Sequence, residues 1–198
     1  TKSKPMSLEH PESSMGTLKS HGRFEKIAYE SRDHRLLANI YTPTDNPDDI
    51  YPGVFIIHGG GMRGKSTFKR LQMRLRKNGI ASFAYDASGT GGSEGDRSVE
   101  TLDTRLIDAQ NSLEVFRNRV RLSKLGALGM SMGADAAVRL TDSENIESLT
   151  LLSPAAYPDE LRDHPLHLGF TRQIRQHTYD WGEESIFSTL EEYDGPSM

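Results

Sequence analysis

Short apolar runs alternate with amphipathic helical patterns along residues 52–152, and this alternation constrains the fold more than any other feature. The runs occupy residues 52–58, 80–86, 125–130 and 148–152, and they are apolar at consecutive positions. Strands of this kind are buried on both faces, which is typical of a parallel sheet with helices on each side. The sequence therefore predicts an α/β domain with a doubly wound, mostly parallel sheet.

The regions around these runs carry helix and hairpin signals. Two β-rich runs, 23–30 and 35–43, are joined by turn-like residues and predict an N-terminal hairpin. A shorter helical pattern before residue 80 ends at Asn78-Gly79, a favourable helix C-terminus. The longest helical pattern follows residue 100, with apolar residues at intervals of three and four at Leu102, Leu106, Ala109, Leu113, Phe116 and Val120.

The alternation begins after a polar N-terminal stretch and stops after residue 156. Residues 1–20 are polar and predict a tail, and residues 21–156 are expected to form the core domain. Residues 157–198 contain Pro, Arg, His, Tyr and Glu on a helix-like background, with no further strand-like run. We interpret them as a helical cap or lid over the core.

Composition excludes several classes of function. The 198 residues contain no cysteine, so disulfide scaffolds, thiolate zinc sites and cysteine nucleophiles are excluded. The net charge of −4 offers no overall attraction for nucleic acid or an anionic membrane. The longest apolar run has four residues, far short of the roughly 20 that span a bilayer. Without an apolar segment near residue 1, we expect a cytoplasmic protein. We expect neither a cofactor nor a metal.

Gly129, Ser131 and Gly133 form a G-x-S-x-G pattern at the end of the third apolar run. In a nucleophile elbow, such a serine lies at a strained strand-to-helix turn, where a Cβ at either glycine would collide with neighbouring backbone. The following helix aims its N-terminal amides at a developing oxyanion. The strand before the pattern and the small residues after it favour an elbow over a plain strand–helix turn.

The loop after the first run supports two competing interpretations. His58-Gly59-Gly60-Gly61 resembles an HGGG turn, which places a backbone N–H beside a nucleophile; His58 would then be structural rather than the catalytic base. Residues 59–66 also match the phosphate-binding pattern G-x-x-x-x-G-K-[ST]. In that alternative, Lys65 and Ser66 would bind phosphate and magnesium, with Asp86 on the next strand.

The loop after the second run bears on this choice. Residues 86–95 read D-x-x-G-x-G-x-S-x-G, which fails the G-x-G-x-x-G nucleotide fingerprint because Glu94 stands where the last glycine is required. The phosphate-binding interpretation explains one loop. A single family resemblance covers this loop and the other three strand-end motifs.

These four strand-end motifs, with residues 151–155 (LLSPA) as the fourth, resemble the α/β-hydrolase superfamily. Within it, they are most similar to the branch of cinnamoyl/feruloyl-type esterases and serine aminopeptidase-like proteins. The resemblance covers roughly residues 23–156 and implies hydrolysis of a small acyl ester. It implies Ser131 as the nucleophile, with an oxyanion hole formed by the amides of Met132 and of Gly60 or Gly61. Ser88 departs from the pattern, because this branch often has arginine there, which affects loop packing.

The resemblance also implies a triad acid and histidine on strands after the cap, and neither is identified in this sequence. The histidines after Ser131 are His164, His167 and His177, all in the cap segment. We therefore expect the last strands of the sheet to be missing and one sheet edge to be open, which would favour homo-oligomers. The alternatives are a base recruited from the cap, such as His167 or His177, and a non-catalytic hydrolase-like module.

Overall fold

A six-stranded mixed sheet forms the centre of the computed structural model, which describes residues 22–166, 170–176 and 184–198. The strand order is β1-β2-β4-β3-β5-β6, and β3 to β6 run parallel while the β1–β2 hairpin is antiparallel. The strands are β1 Phe24–Ser31, β2 His34–Tyr41, β3 Ile50–Ile57, β4 Ala81–Asp86, β5 Arg121–Met130 and β6 Ser148–Leu152. The predicted hairpin and all four predicted strands are confirmed.

Helices cover both faces of this sheet, as the apolar runs predict. The α-helices are α1 Lys69–Lys77, α2 Leu102–Arg119, α3 Met132–Ser143, α4 Phe170–Gln176 and α5 Ser185–Glu192. Helix α1 follows a 3-10 helix at Gly64–Phe68, and α2 begins at a capping box between Thr101 and Thr104.

The core has two parts because successive side chains of each strand point to opposite faces. Phe55 and Ile57 belong to the larger cluster with α2 and α3, whereas Ile56 belongs to a smaller cluster with Phe68 and Leu128. All three β3 side chains are at most 1 % exposed. The predicted doubly wound α/β architecture is therefore confirmed.

Residues 196–198 run beside β6 and change one expectation. The N–H of Leu149 donates to Pro196 O at 3.0 Å, the N–H of Leu151 donates to Met198 O at 2.7 Å, and Ser197 pairs in parallel with Leu149. The β6 edge that the sequence predicts to be open is thus paired along Leu149–Leu151, because residues 196–198 adopt extended backbone there. Within the described residues, no helix is both long and apolar enough to cross a membrane.

Candidate active site

Ser131 occupies a strained turn between β5 and α3. Its φ of 51° and ψ of −120° lie outside the regions that non-glycine residues ordinarily adopt. Hydrogen bonds hold this conformation: the Ser131 N–H donates to Leu152 O at 2.9 Å, and the Ser131 carbonyl accepts from the N–H groups of Ala134 and Ala155 at 2.9 and 3.3 Å. The backbone conformation of Ser131 is therefore held by hydrogen bonds to α3 and to residues at and just after the end of β6.

Gly129 and Gly133, which flank Ser131 at two positions on either side, are required because the structure has no room for a side chain at either position. A Cβ at Gly129 would lie 2.6 Å from Ala134 Cα, and a Cβ at Gly133 would lie 2.5 Å from the carbonyl oxygen of Ile57. These close approaches let the first turn of α3 pack directly against the end of β3. The G-x-S-x-G spacing therefore has a steric cause in this structure.

The glycine loop after β3 lies beside Ser131. A Cβ at Gly59 would be 3.1 Å from Ser131 Cβ, and one at Gly60 would be 3.4 Å from Met132 Cε, whereas the corresponding position at Gly61 has no neighbour within 4 Å. Met132 is the first residue of α3, so its N–H has no acceptor within the helix. The structure thus brings Ser131, Met132 and Gly60 together, with Gly61 next in the chain.

His58 is buried beneath this loop and has a structural position. Its Nδ1 donates to Gly59 O at 2.6 Å and its Nε2 accepts the N–H of Ala87 at 3.0 Å, which assigns the neutral tautomer. Burial, with the charge of Arg105 as the second cause, lowers the pKa of His58 to about 3. Both ring nitrogens are occupied, so the expectation that His58 is structural is confirmed.

Two arginines that sequence reasoning missed donate to the carbonyls of the glycine loop. Arg105, which is 7 % exposed, donates from Nη2 to His58 O at 2.9 Å and to Gly59 O at 3.4 Å. Arg97 donates to Gly60 O and lies 2.9 Å from Met62 Sδ. Burial lowers the pKa of Arg105, yet an arginine remains protonated. Three consecutive loop carbonyls therefore accept hydrogen bonds from guanidinium groups.

The sequence signal that could have identified Arg105 as a buried residue is a polar face of α2. Arg105, Asp108 and Ser112 recur at intervals of three and four, like the apolar residues, and all three are buried. Asp108 accepts from the Ser88 N–H at 2.9 Å and from Arg32 Nε at 3.1 Å. Asp108 thus links the Arg32 guanidinium to the backbone of the loop after β4. Ser88, which stands where the family often has arginine, is buried in that loop.

The phosphate-binding interpretation of residues 59–66 is wrong. The Asp86 carboxylate fills the space inside the turn: it accepts the Lys65 N–H at 2.7 Å and pairs with the Lys65 ammonium. It also accepts the Gly92 N–H at 3.1 Å. The Asp86 carboxylate therefore already binds the Lys65 amide and ammonium groups that a phosphate would need. The sequence does not reveal this contact, because the G-x-x-x-x-G-K-[ST] pattern does not specify which side chain lies inside the turn.

Replacing Lys65 by methionine is expected to destabilise the protein by about 1–3 kcal/mol. Under the hydrolase interpretation the sequence predicts Lys65 to be a surface charge whose loss is nearly silent, but its side chain is only 15 % exposed and pairs with buried Asp86. Its removal leaves that carboxylate without a cation. Urea denaturation checks this, with exposed Lys77→Met on α1 as the control; equal stability of both variants would refute the expectation.

Ser131 Oγ makes no hydrogen bond to a His, Asp or Glu side chain within the part of the chain that the structure describes. His164 is exposed and lies 3.0 Å from Asp163 Oδ1, while His167 and His177 fall outside the described residues. Among the acids of the cap, Asp159 is bound by Arg139 and Ser185. The described residues contain no group of three or more His, Asp or Glu side chains arranged to hold a metal.

The first part of the predicted cap packs beside Met132. Tyr157, Leu161 and Phe170 form a buried cluster with Leu102 of α2, and Met132 is packed against it. The rings of Tyr157 and Phe170 are 5.6 Å apart. Burial raises the pKa of Tyr157 to about 12. Of the other apolar and aromatic side chains of the cap, Leu166 joins this cluster, Phe187 packs against the main core, and Leu168, Tyr179 and Trp181 lie outside the described residues.

Comparisons with known proteins agree with this geometry. The family model described as serine aminopeptidase, S33, matches residues 50–183, which include the strand-end motifs. The chain belongs to this family of α/β-hydrolases. Membership of this family identifies the chain as a hydrolase. No curated protein matches its sequence.

Solved structures of other proteins, two of them esterases, share the fold of this S33 family member. Est1E from Butyrivibrio proteoclasticus with bound ferulic acid is 20 % identical over 86 % of this chain and 76 % of its own, with a TM-score of 0.66. An esterase from Pyrococcus furiosus is 22 % identical over 70 % of this chain, with a TM-score of 0.56. An esterase from Exiguobacterium antarcticum is 20 % identical over 69 %, with a TM-score of 0.55. The chain spans 52 % and 50 % of the length of these last two proteins.

Proposed function

We propose that this chain is a serine hydrolase that acts on carboxylic esters through an acyl-enzyme at Ser131. The observation that carries the proposal is the convergence of three features. Ser131 has a strained backbone, the first amides of α3 follow it directly, and the Gly59–Gly60 turn lies against it. Membership of a hydrolase family and likeness to esterases from Pyrococcus furiosus and Exiguobacterium antarcticum support the choice of reaction.

The proposed reaction uses protein groups and water. Ser131 Oγ attacks the ester carbonyl carbon as its proton passes to a general base, and the oxyanion accepts hydrogen bonds from the amides of Met132 and of Gly60 or Gly61. Collapse of the tetrahedral intermediate expels the alcohol, which takes up the proton. Water then attacks the acyl-enzyme and releases the carboxylic acid, restoring the Ser131 hydroxyl.

Arg97 and Arg105 are proposed as positioning residues for this oxyanion hole. The Gly59 carbonyl and the Gly60 N–H belong to one trans peptide, so they point in opposite directions. Arg105 holds that carbonyl at 3.4 Å and thereby aims the Gly60 N–H away from α2. Arg97, through Gly60 O, orients the Gly61 N–H in the same way. Each bond also polarises its peptide and strengthens the opposite N–H as a donor.

Reaction with a fluorophosphonate is expected to add one adduct to the protein, and Ser131→Ala is expected to abolish it. An activated serine attacks the probe's phosphorus irrespective of the natural substrate, so intact-mass spectrometry reads nucleophile activation directly. Hydrolysis of 4-nitrophenyl esters compared with aminoacyl 4-nitroanilides then distinguishes esters from amides.

The absence of an adduct on folded protein would refute the proposed catalysis by this chain. It would favour the non-catalytic interpretation, which rests on the lack of a hydrogen bond between Ser131 Oγ and a His, Asp or Glu side chain among the described residues. An adduct that persists in Ser131→Ala would place the reactive group elsewhere. Circular dichroism of both proteins ensures that the comparison is made between folded chains.

A further inference from the structure

The register of β5 and β6 places a second strained serine, Ser153, beside Ser131. The two strands pair in parallel up to Met130 opposite Leu152, so the next pair along the sheet is Ser131 with Ser153. Their φ angles are 51° and 46°, and Arg32 is the one other non-glycine residue with a positive φ in residues 22–166, 170–176 and 184–198. Two serines in a conformation that non-glycine residues rarely adopt thus lie side by side at the carboxyl end of the sheet.

Pro154 interrupts the hydrogen bonding between the two strands at this pair. In a regular parallel ladder, each paired residue donates its N–H to the residue before its partner and accepts an N–H from the residue after its partner. Ser131 makes the first bond, to Leu152 O at 2.9 Å. The second would come from Pro154, which has no N–H. The Ser131 carbonyl instead accepts the N–H of Ala155, one residue farther along, at 3.3 Å.

The positive φ of Ser153 accommodates this extra residue. A β-bulge also places one additional residue between two ladder bonds, and in one common type a residue in the left-handed region takes up the extra length. Ser153 and Pro154 are both exposed, so burial of their side chains does not account for the conformation. Strained residues of this kind cluster where a site needs its backbone held in one geometry.

The bond from Ala155 also orients an amide of the candidate active site. The Ser131 carbonyl and the Met132 N–H belong to one trans peptide, so they point in opposite directions. The other donor to this carbonyl is the Ala134 N–H at 2.9 Å, which belongs to α3 itself. Ala155 is therefore the donor that ties this peptide to the segment after β6, and it sets the direction of the Met132 N–H relative to the sheet.

We propose that Ser153 and Pro154 are positioning residues that aim the Met132 N–H at the oxyanion. This role rests on the proposed function, in which Met132 supplies one donor whether Gly60 or Gly61 supplies the other. Pro154 removes the donor of the regular ladder, and Ser153 lets the following amide replace it. A preorganised donor contributes most when it already points to where the charge develops.

Replacing Ser153 by valine is expected to slow the modification of Ser131 by a fluorophosphonate at least tenfold. A β-branched residue resists a positive φ, so valine withdraws the Ala155 N–H and misdirects the opposite amide. Removing one oxyanion donor costs about 10²–10³ in kcat. With 4-nitrophenyl acetate, kcat should therefore fall at least tenfold while KM stays within about twofold. Ser153→Gly adopts a positive φ freely and should react at least tenfold faster than Ser153→Val.

The matched control is Ser148→Val. Ser148 is an exposed serine at the start of the same strand and has no positive φ, and valine is well tolerated in strands. Its rate of modification should stay within about twofold of the wild type. Equal rates for Ser153→Val and Ser153→Gly, or equal slowing by Ser148→Val, would overturn the positioning role.

Amide exchange at Ala155, measured by NMR, tests the role separately from the proposed function. Ser153→Val should raise this exchange at least tenfold while urea denaturation shows the fold retained. Pro154→Ala gives a second route, because it restores an N–H that can donate to Ser131 O in place of Ala155. Failure of the wild type to react with the fluorophosphonate would count against the proposed function alone. Retained protection of Ala155 in both variants would show that Ser153 and Pro154 do not direct this bond.

Discussion

Replacing Gly133 by alanine is expected to destabilise the protein by about 3 kcal/mol or more, one of the largest effects of any single methyl group in this chain. The new Cβ would lie 2.5 Å from Ile57 O and 2.6 Å from His58 O. Both atoms are backbone, at the end of a central strand, so no side-chain rotation relieves the clash. Helix α3 would have to move away from β3, which separates Met132 from the glycine loop.

Urea denaturation of Gly133→Ala beside Gly61→Ala checks this expectation. A Cβ at Gly61 would meet nothing within 4 Å, so that variant should change stability by no more than about 1 kcal/mol, through the entropy of the unfolded chain. Similar midpoints for the two variants would show that α3 is not held against β3 as described. A loss confined to Gly133→Ala would establish the close approach as a requirement of the fold.

The sequence was sufficient to predict the parts of the fold that depend on local patterns. Consecutive apolar residues identified β3 to β6 with their ends within a few positions, and the glycine positions identified the loops that follow them. The environment of His58 was also predictable, because a histidine followed by three glycines at a strand end has few roles. In each case the determining residues are close together in the chain.

Interactions between distant residues could not be predicted in the same way. Lys65 pairs with Asp86 across 21 positions, and Arg105 reaches a carbonyl 47 positions earlier. From the sequence alone, Lys65 and Arg105 would be expected at the surface as charged residues. Both are largely buried in the structure, and their burial depends on the order of the strands in the sheet. The pairing of residues 196–198 with β6 is likewise set by the sheet and not by any local motif.

Replacing Arg105 by methionine is expected to increase amide hydrogen exchange at Ala87 at least tenfold while the fold is retained. The Ala87 N–H donates to His58 Nε2, and Arg105 holds His58 through its carbonyl oxygen. Methionine has a similar length and no charge, so it fills much of the space of the arginine side chain but leaves His58 O and Gly59 O without their donor. Hydrogen bonds from a charged donor contribute about 1.5–3 kcal/mol each, which corresponds to a tenfold or larger change in local opening. Exchange measured by NMR reports on the loop without requiring enzymatic turnover.

Two further variants separate positioning from general stability. Leu113→Ala creates a cavity in the same helix, where the residue is fully buried, and should lower global stability by about 2–5 kcal/mol without accelerating exchange at Ala87 selectively. Arg105→Lys retains the charge but lacks the planar fork, so it should restore protection only in part. If Arg105→Met leaves the Ala87 amide as protected as in the wild type, the guanidinium does not hold the loop. If exchange at Ala87 rises while global stability is retained, then the position of the glycine loop depends on a side chain from α2, and the geometry of the proposed oxyanion hole is set by the buried polar face of that helix.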